Sequence, residues 1–294
     1  TAFARQMREY LKGKKDRIDP ETWDMYQRVL LQHGETFGWK DSKTITVREM
    51  EGREAELMGI SSESTASVKM TILVSFLNYM GNKEARRFKK LCTLQPASDS
   101  VFMTEAEVAS CRLIAREISD MHELIFSLLT DNGLRPSDIS RLTVDNGRKL
   151  VQTGEAMILG KGRNGGKLGK MIISPITVPL LKRYMLGRTR MNGSETFTEL
   201  ILVEWPRKGV APIDRKLIYK MMAPVFERAG LDASPRDGRK TCGNRVYRLD
   251  RDIAMAAMIL RHGSPDVTFK HYIGADSVDM RDVQARIARN DPSA

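Results

Sequence analysis

Residues 122–138 read HELIFSLLTDNGLRPSD. The run from His122 to Thr130 reads as a helix that ends at Asp131, Asn132 and Gly133, and Pro136 suits the first turn of a second helix. That break sets Arg135 at a helix start, where unpaired backbone N–H groups and the helix dipole favour an anion such as phosphate. Asp138, one turn later, can hold the Arg135 guanidinium or complement the dipole. Arginines flank helix starts for many structural reasons, so the rest of the chain has to decide what the stretch is for.

Upstream, Thr104 and Glu107 form a capping-box pattern, with Met103 and Val108 spaced as a hydrophobic staple. They open the domain that contains the stretch. The chain ahead of it is helical. Asp19 can cap a helix with Pro20 at its first position; Ile18 and Trp23 are spaced as a staple, and Trp23, Tyr26, Val29 and Leu30 make one apolar face. Thr46 and Glu49 repeat the capping box before a helix that should end near Gly59. Ser61, Ser62 and Ser64 open a third helix, with Val68, Ile72, Phe76 and Met80 on one stripe and Leu73 and Leu77 beside it. Gly81 and Asn82 stop it. Such a bundle either grips DNA with a basic face or serves as a packed module.

Between Lys83 and Ser100 the apolar periodicity fades into Arg86, Arg87, Lys89 and Lys90, followed by Gln95, Pro96, Ala97 and Ser98. A run of this kind is either solvated or follows a phosphate backbone. A chain of 294 residues exceeds the usual single-domain size. The expected organisation is therefore a helical domain over 1–90, a linker over 91–100 and a second domain over 101–294.

Downstream, two β-prone segments, Ala156 to Leu159 and Lys170 to Ser174, flank the glycine-rich turn Gly160 to Gly166. Lys161 sits at the tip of this hairpin, with Arg163 beside it. A lysine there can reach a DNA groove or donate a proton to a leaving oxygen. The P-loop spacing is not met, because Leu168 rather than a hydroxyl residue follows Lys167. From Pro212 the pattern is helical again. Within Ser234 to Thr241, Arg236 and Arg239 stand three residues apart, a spacing that puts both on one helix face. Their fixed donors match phosphate oxygens and keep their charge when desolvated. His262 and Tyr272 follow; taken singly, each reads as packing. Met280, Val283 and Ile287 have helical spacing within 276–290, a helix able to dock on a neighbouring subunit or to fold back on its own domain.

The formal net charge is +11 and the isoelectric point near 9.6, which suits a polyanionic partner, although surplus lysine and arginine also serve solubility. Cys92, Cys111 and Cys242 form no CxxC pair, so neither a disulfide framework nor a zinc site is expected, and a reducing cytoplasm fits. No apolar run reaches the roughly 18 residues of a membrane span, and Thr1 to Tyr10 does not read as a secretory signal. The first residue is Thr1 and not methionine, which leaves open whether native residues precede it.

The ordered set Arg135, Lys161, Arg236 with Arg239, His262 and Tyr272 resembles the tyrosine recombinase family, also called the phage integrase family. The family's order is Arg, Lys, His/Lys-x-x-Arg, His/Trp and Tyr. The interval of 23 residues from Arg239 to His262 and of 10 from His262 to Tyr272 are typical of it. Arg236 stands where the family commonly has histidine, and Lys240 where it often has histidine. Arginine cannot accept a proton at working pH, so Arg236 is no general base; it can still stabilise the phosphate and the tyrosinate.

The resemblance implies a mainly α fold with a small β-sheet. An N-terminal helical core-binding domain would precede a C-terminal mixed α/β catalytic domain of tyrosine recombinase type, with a C-terminal docking helix. It implies Tyr272 as the nucleophile that forms a 3′-phosphotyrosyl link, without ATP, metal or cofactor. Arg135, Arg239, Arg236 and His262 would then hold the phosphate and stabilise the transition state, His262 as a hydrogen-bond donor, with Lys161 as general acid and Asp138 and Lys240 in support. Arg86, Arg87, Lys89, Lys90 and Arg163 are the expected DNA contacts. The expected partners are a duplex DNA recombination site and further copies of the chain, a dimer on one site and a tetramer in synapsis, in the cytoplasm at the nucleoid and away from any membrane. Two rivals stay open: a type IB topoisomerase, which relaxes one duplex, and a non-catalytic DNA-binding protein, prompted by Arg236 and Lys240.

Overall fold

The structure, a computed structural model, describes residues 1–92, 102–160, 166–263, 265, 267 and 268. These fall into two compact units, one built from residues 1–92 and the other from residues 102–160 and 167 onward.

The first unit holds α1 (Ala2–Lys14), α2 (Pro20–Thr36), α3 (Val47–Ile60) and α4 (Glu63–Tyr79), with single 3-10 turns at Ser42–Thr44 and Glu84–Arg86. The helix starts lie where their caps put them. Asp19 Oδ1 accepts the Thr22 N–H at 3.0 Å ahead of Pro20. Thr46 and Glu49 satisfy each other's backbone N–H groups, and Ser62 caps α4. Phe3, Tyr10, Leu30, Met50, Met70 and Phe76 anchor the core. On α4, Ile72, Leu73, Phe76 and Leu77 are buried as expected, but Val68 is exposed, and Ala66 and Met70 take the inward positions. The reason is that α4 packs on α1, α2 and α3, so its buried face is wider than one stripe and turned away from Val68.

Two buried polar groups tie this unit together. His33 is fully buried; its Nε2–H donates to the Lys69 carbonyl at 3.2 Å and its Nδ1 accepts from Arg53 Nε at 3.3 Å. Burial, then the Arg53 charge, pull its pKa down from 6.5 to about 3, so the ring is neutral. Glu54, also buried, accepts the N–H groups of Leu91 and Cys92 at 2.9 and 2.8 Å. Packing through Ala85, Phe88 and Cys92 thus carries the first unit slightly past residue 90. Lys90 is tied down as well, with Nζ 2.7 Å from Ser67 Oγ and 3.0 Å from Thr71 Oγ1. The rest of the expected linker lies outside the described residues.

The second unit runs α5 (Glu105–Ile118), α6 (Asp120–Thr130), α7 (Pro136–Ile139), α8 (Val144–Thr153), β1 (Glu155–Gly160), β2 (Lys167–Ile172), α9 (Thr177–Arg188), β3 (Leu202–Trp205), β4 (Gly209–Pro212), α10 (Arg215–Arg228), α11 (Pro235–Asp250) and α12 (Ile253–Ile259). Both strand pairs are antiparallel hairpins; Glu155 faces Ile172 and Gly160 faces Lys167 in the first. The second was not expected. The molecule is mainly helical with small sheets, as the sequence implied.

At its centre lies α6, buried at every position from Glu123 to Thr130 and packed by α5, α9, α10 and α11. Gly238 lets α11 lie close on α6, since a Cβ there would come 3.2 Å from Leu129 Cβ. Asp131, at the end of α6, accepts from Arg245 Nη1 of α11 at 3.0 Å and from Arg112 Nη2 of α5 at 2.7 Å. These charge-assisted bonds fix the α11 backbone relative to the residues that follow α6. Among the described residues no helix is long and apolar enough to cross a membrane.

Candidate active site

Gly133 starts the site. Its φ of +58° is left-handed, and its backbone runs so close to the core that a Cβ would lie 2.6 Å from Leu260 Cδ2 and 3.1 Å from Cys242 Sγ. Its carbonyl accepts from Arg239 Nη1. Arg239, on α11, is the largest of the fully buried side chains in the described residues. Its Nη2 donates to the Leu260 carbonyl at 2.6 Å and to His262 Nε2 at 2.9 Å. A guanidinium can only donate, so Nε2 accepts; the ring proton then sits on Nδ1, 2.7 Å from the Thr268 hydroxyl that receives it. His262 was expected to donate to phosphate. In this arrangement its Nε2 is instead an acceptor of an arginine proton.

Two residues beyond Gly133, Arg135 is the N-cap of α7, with its N–H on Asp138 Oδ2 at 3.3 Å and its side chain 31% exposed. Because α7 is a single turn, its dipole is small, and the charge at this point comes from side chains. Asp138, fully buried, was expected either to hold the Arg135 guanidinium or to complement the dipole of α7. It makes its closer contact with Arg261, whose Nη2 is 2.8 Å from Oδ2; Arg135 Nη1 stands 3.8 Å from the same oxygen. Burial lowers the pKa of Arg261, Asp138 partly restores it, and Arg135 lowers it further. Arg135, Arg261 and His262 line one cavity of about 540 Å³, with Gly160 and Lys167 of the β1–β2 hairpin and Met258 of α12 on its walls.

The two arginines expected to share a helix face differ in surroundings. Positions three apart on a helix are about 60° from each other; here Arg239 is turned into the core and Arg236 is exposed, with no hydrogen bond or ion pair to another described residue. Lys240 pairs with Asp237 at 3.2 Å, and Asp237 also closes the capping box of α11 with Ser234. Arg86, Arg87 and Lys89 are exposed on the first unit, Arg87 paired with Glu84 at 3.1 Å. Lys161, Arg163, Tyr272 and the segment 276–290 lie outside the described residues. Sequence reasoning passed over Arg261 and named Lys167 only in setting a P-loop aside; both line the cavity. Arg261 had a signal, a second cation directly before His262 in a segment ending in Gly263, but no local pattern pairs it with Asp138.

The model of the Phage integrase family matches residues 102–277. Tyrosine recombinase XerA of Pyrococcus furiosus is 24% identical over 213 residues, covering 70% of this chain and 68% of that protein. Tyrosine recombinase XerS of Streptococcus gordonii is 27% identical over 146 residues, 49% of this chain and only 39% of that relative. In fold, the chain is similar to the Tn1549 transposon integrase solved in complex with circular intermediate DNA, at a TM-score of 0.76 and 13% identity, over 97% of this chain and 99% of that one.

Proposed function

Because the chain belongs to the phage integrase family, we propose that it is a site-specific DNA recombinase, a strand transferase that cleaves and rejoins duplex DNA through a 3′-phosphotyrosyl intermediate. The observation that carries this reading is the cluster of phosphate-binding side chains drawn from three distant parts of the chain: Arg239 bound at once to the Gly133 carbonyl and to His262, with Arg135 two residues from that carbonyl.

In this reading Tyr272 Oη attacks the scissile phosphorus, the P–O5′ bond breaks, and the 5′-oxygen leaves with a proton from Lys161. A free tyrosine, with a pKa near 10, would be ionised only about once in a thousand molecules at neutral pH, so the cations must favour its anion. Arg135 is exposed enough to contact a phosphate oxygen. Arg239 is almost wholly buried and acts from beneath, where the low dielectric strengthens its field. The engagement of His262 Nε2 by Arg239 means that the ring donates to phosphate only once that nitrogen carries a proton. Arg236, exposed on α11, supplies further positive charge.

The phosphotyrosine conserves the energy of the diester. A 5′-hydroxyl from a second duplex attacks it, the P–O bond to Tyr272 breaks, and the tyrosine regains a proton. Exchange between two duplexes needs a protomer at each cleaved strand, hence a dimer on each site and a tetramer in synapsis, with 276–290 as the docking segment. The test is a DNA substrate whose nick prevents religation: Tyr272→Phe should bind it but form no adduct on denaturing gels. Adduct from the phenylalanine variant would refute the nucleophile.

A further inference from the structure

Asp138 and its two arginines are arranged in an unequal way that the proposed chemistry does not by itself require. The carboxylate is fully buried, and Oδ2 lies 2.8 Å from Arg261 Nη2 but 3.8 Å from Arg135 Nη1. The first distance is a charge-assisted hydrogen bond; the second is too long for one. The Arg261 side chain, 11% exposed, is fixed along its length as well as at its head, since a Cβ on Gly169 of β2 would come 3.3 Å from Arg261 Cδ. Its backbone is left-handed, with φ +53°, a conformation unfavourable for any residue with a Cβ. An arginine held in such a conformation beside the motif histidine calls for a compensating role.

We infer that Arg261 is a positioning residue: by occupying Asp138 it leaves the Arg135 guanidinium free to take the phosphate. The inference rests on reading the site as one that binds a DNA phosphate. Two guanidinium groups and one carboxylate leave this trio with one net positive charge. Without Arg261, the buried Asp138 carboxylate would lack a close partner, and the nearest cation able to satisfy it is Arg135. Arg135 would then close on Asp138, and the trio would become a neutral pair withdrawn from the cavity. Burial of the Arg261 guanidinium lowers its pKa, and arginine nevertheless stays charged at working pH, so this arrangement holds across the neutral range. Loss of Arg261 should accordingly be repaired by also removing the charge it covers. Asp138→Asn does this while keeping an oxygen for the Arg135 N–H cap.

The experiment uses the full chain and the nicked trapping substrate at saturating DNA, with single-turnover adduct formation, DNA affinity and melting temperature read together. Arg261→Asn, which tolerates the left-handed backbone, should slow adduct formation by about tenfold or more, with DNA affinity little changed and the folding transition retained at a lower temperature. Arg261→Asn with Asp138→Asn should regain most of the lost rate per folded molecule, whereas a merely structural role for Arg261 would have the second substitution restore only the melting temperature. If the asparagine variant loses its folding transition, Arg261→Lys provides the second measurement: it keeps the charge against Asp138 and should keep the larger part of the rate. A single variant at the parent rate, a double variant no faster than the single one, or a folded lysine variant as slow as asparagine each overturns the inference. Absence of adduct from the unaltered protein fails earlier and differently, by removing the phosphotyrosine reading itself.

Discussion

Replacing Gly133 by alanine tests the physical foundation of the site. Two independent costs act at that position. The left-handed backbone, φ +58°, is disfavoured for alanine by about 1–2 kcal/mol. The new Cβ would lie 2.6 Å from Leu260 Cδ2 and 3.1 Å from Cys242 Sγ, and both neighbours are buried, so neither can swing aside. Overpacking of this sort costs about 1–3 kcal/mol. The sum is about 2–5 kcal/mol, or a fall of roughly 5–15 °C in the melting temperature of a unit this size. Gly154→Ala is the matched control: φ is +77° with nothing within 4 Å of the added Cβ, so only the backbone cost of about 1–2 kcal/mol applies. Calorimetry of the two full-chain variants separates the terms. Because the Gly133 carbonyl holds Arg239, the same substitution should depress adduct formation in molecules that remain folded. If Gly133→Ala melts no lower than Gly154→Ala, the close packing of Gly133 on Leu260 and Cys242 is wrong, and the placement of Arg239 with it.

The buried His33 makes the stability of the first unit depend on pH. Its folded pKa, about 3, lies below its ordinary 6.5, so between those values the unfolded chain binds a proton that the folded one excludes, and stability falls as pH drops through that window by up to about 1.4 kcal/mol per unit. His33→Gln should flatten this dependence in melting curves taken from pH 7 to 4; an unchanged slope would assign it to other groups. For Lys161 as general acid, Lys161→Ala should lose most cleavage on ordinary DNA and recover it when sulfur replaces the bridging 5′-oxygen, because a thiolate leaves without a proton. Failure of that substrate to rescue would point to another donor.

Much of the chain was legible from local chemistry. Asp19, Thr46 and Thr104 mark helix starts because a capping side chain satisfies backbone donors only two or three residues away, and all three helices begin there. The β3–β4 hairpin escaped because strands of four residues with partly exposed positions carry almost no alternation. Val68 was misplaced on the buried stripe because periodicity fixes which residues share a face and leaves open how many neighbours that face will meet.

The sequence by itself determined the helix starts at Asp19, Thr46 and Thr104, the excess of positive charge, and the order and spacing of Arg135, Arg239 and His262, all properties of local pattern, of composition or of position along the chain. The tertiary structure alone decided which of those groups touch: Arg239 with the Gly133 carbonyl across 106 positions, and Asp138 with Arg261 across 123. The physical reason is that a buried ion takes whichever partner packing brings within about 3 Å, and packing is settled by the whole core around α6, which no local pattern of residues encodes.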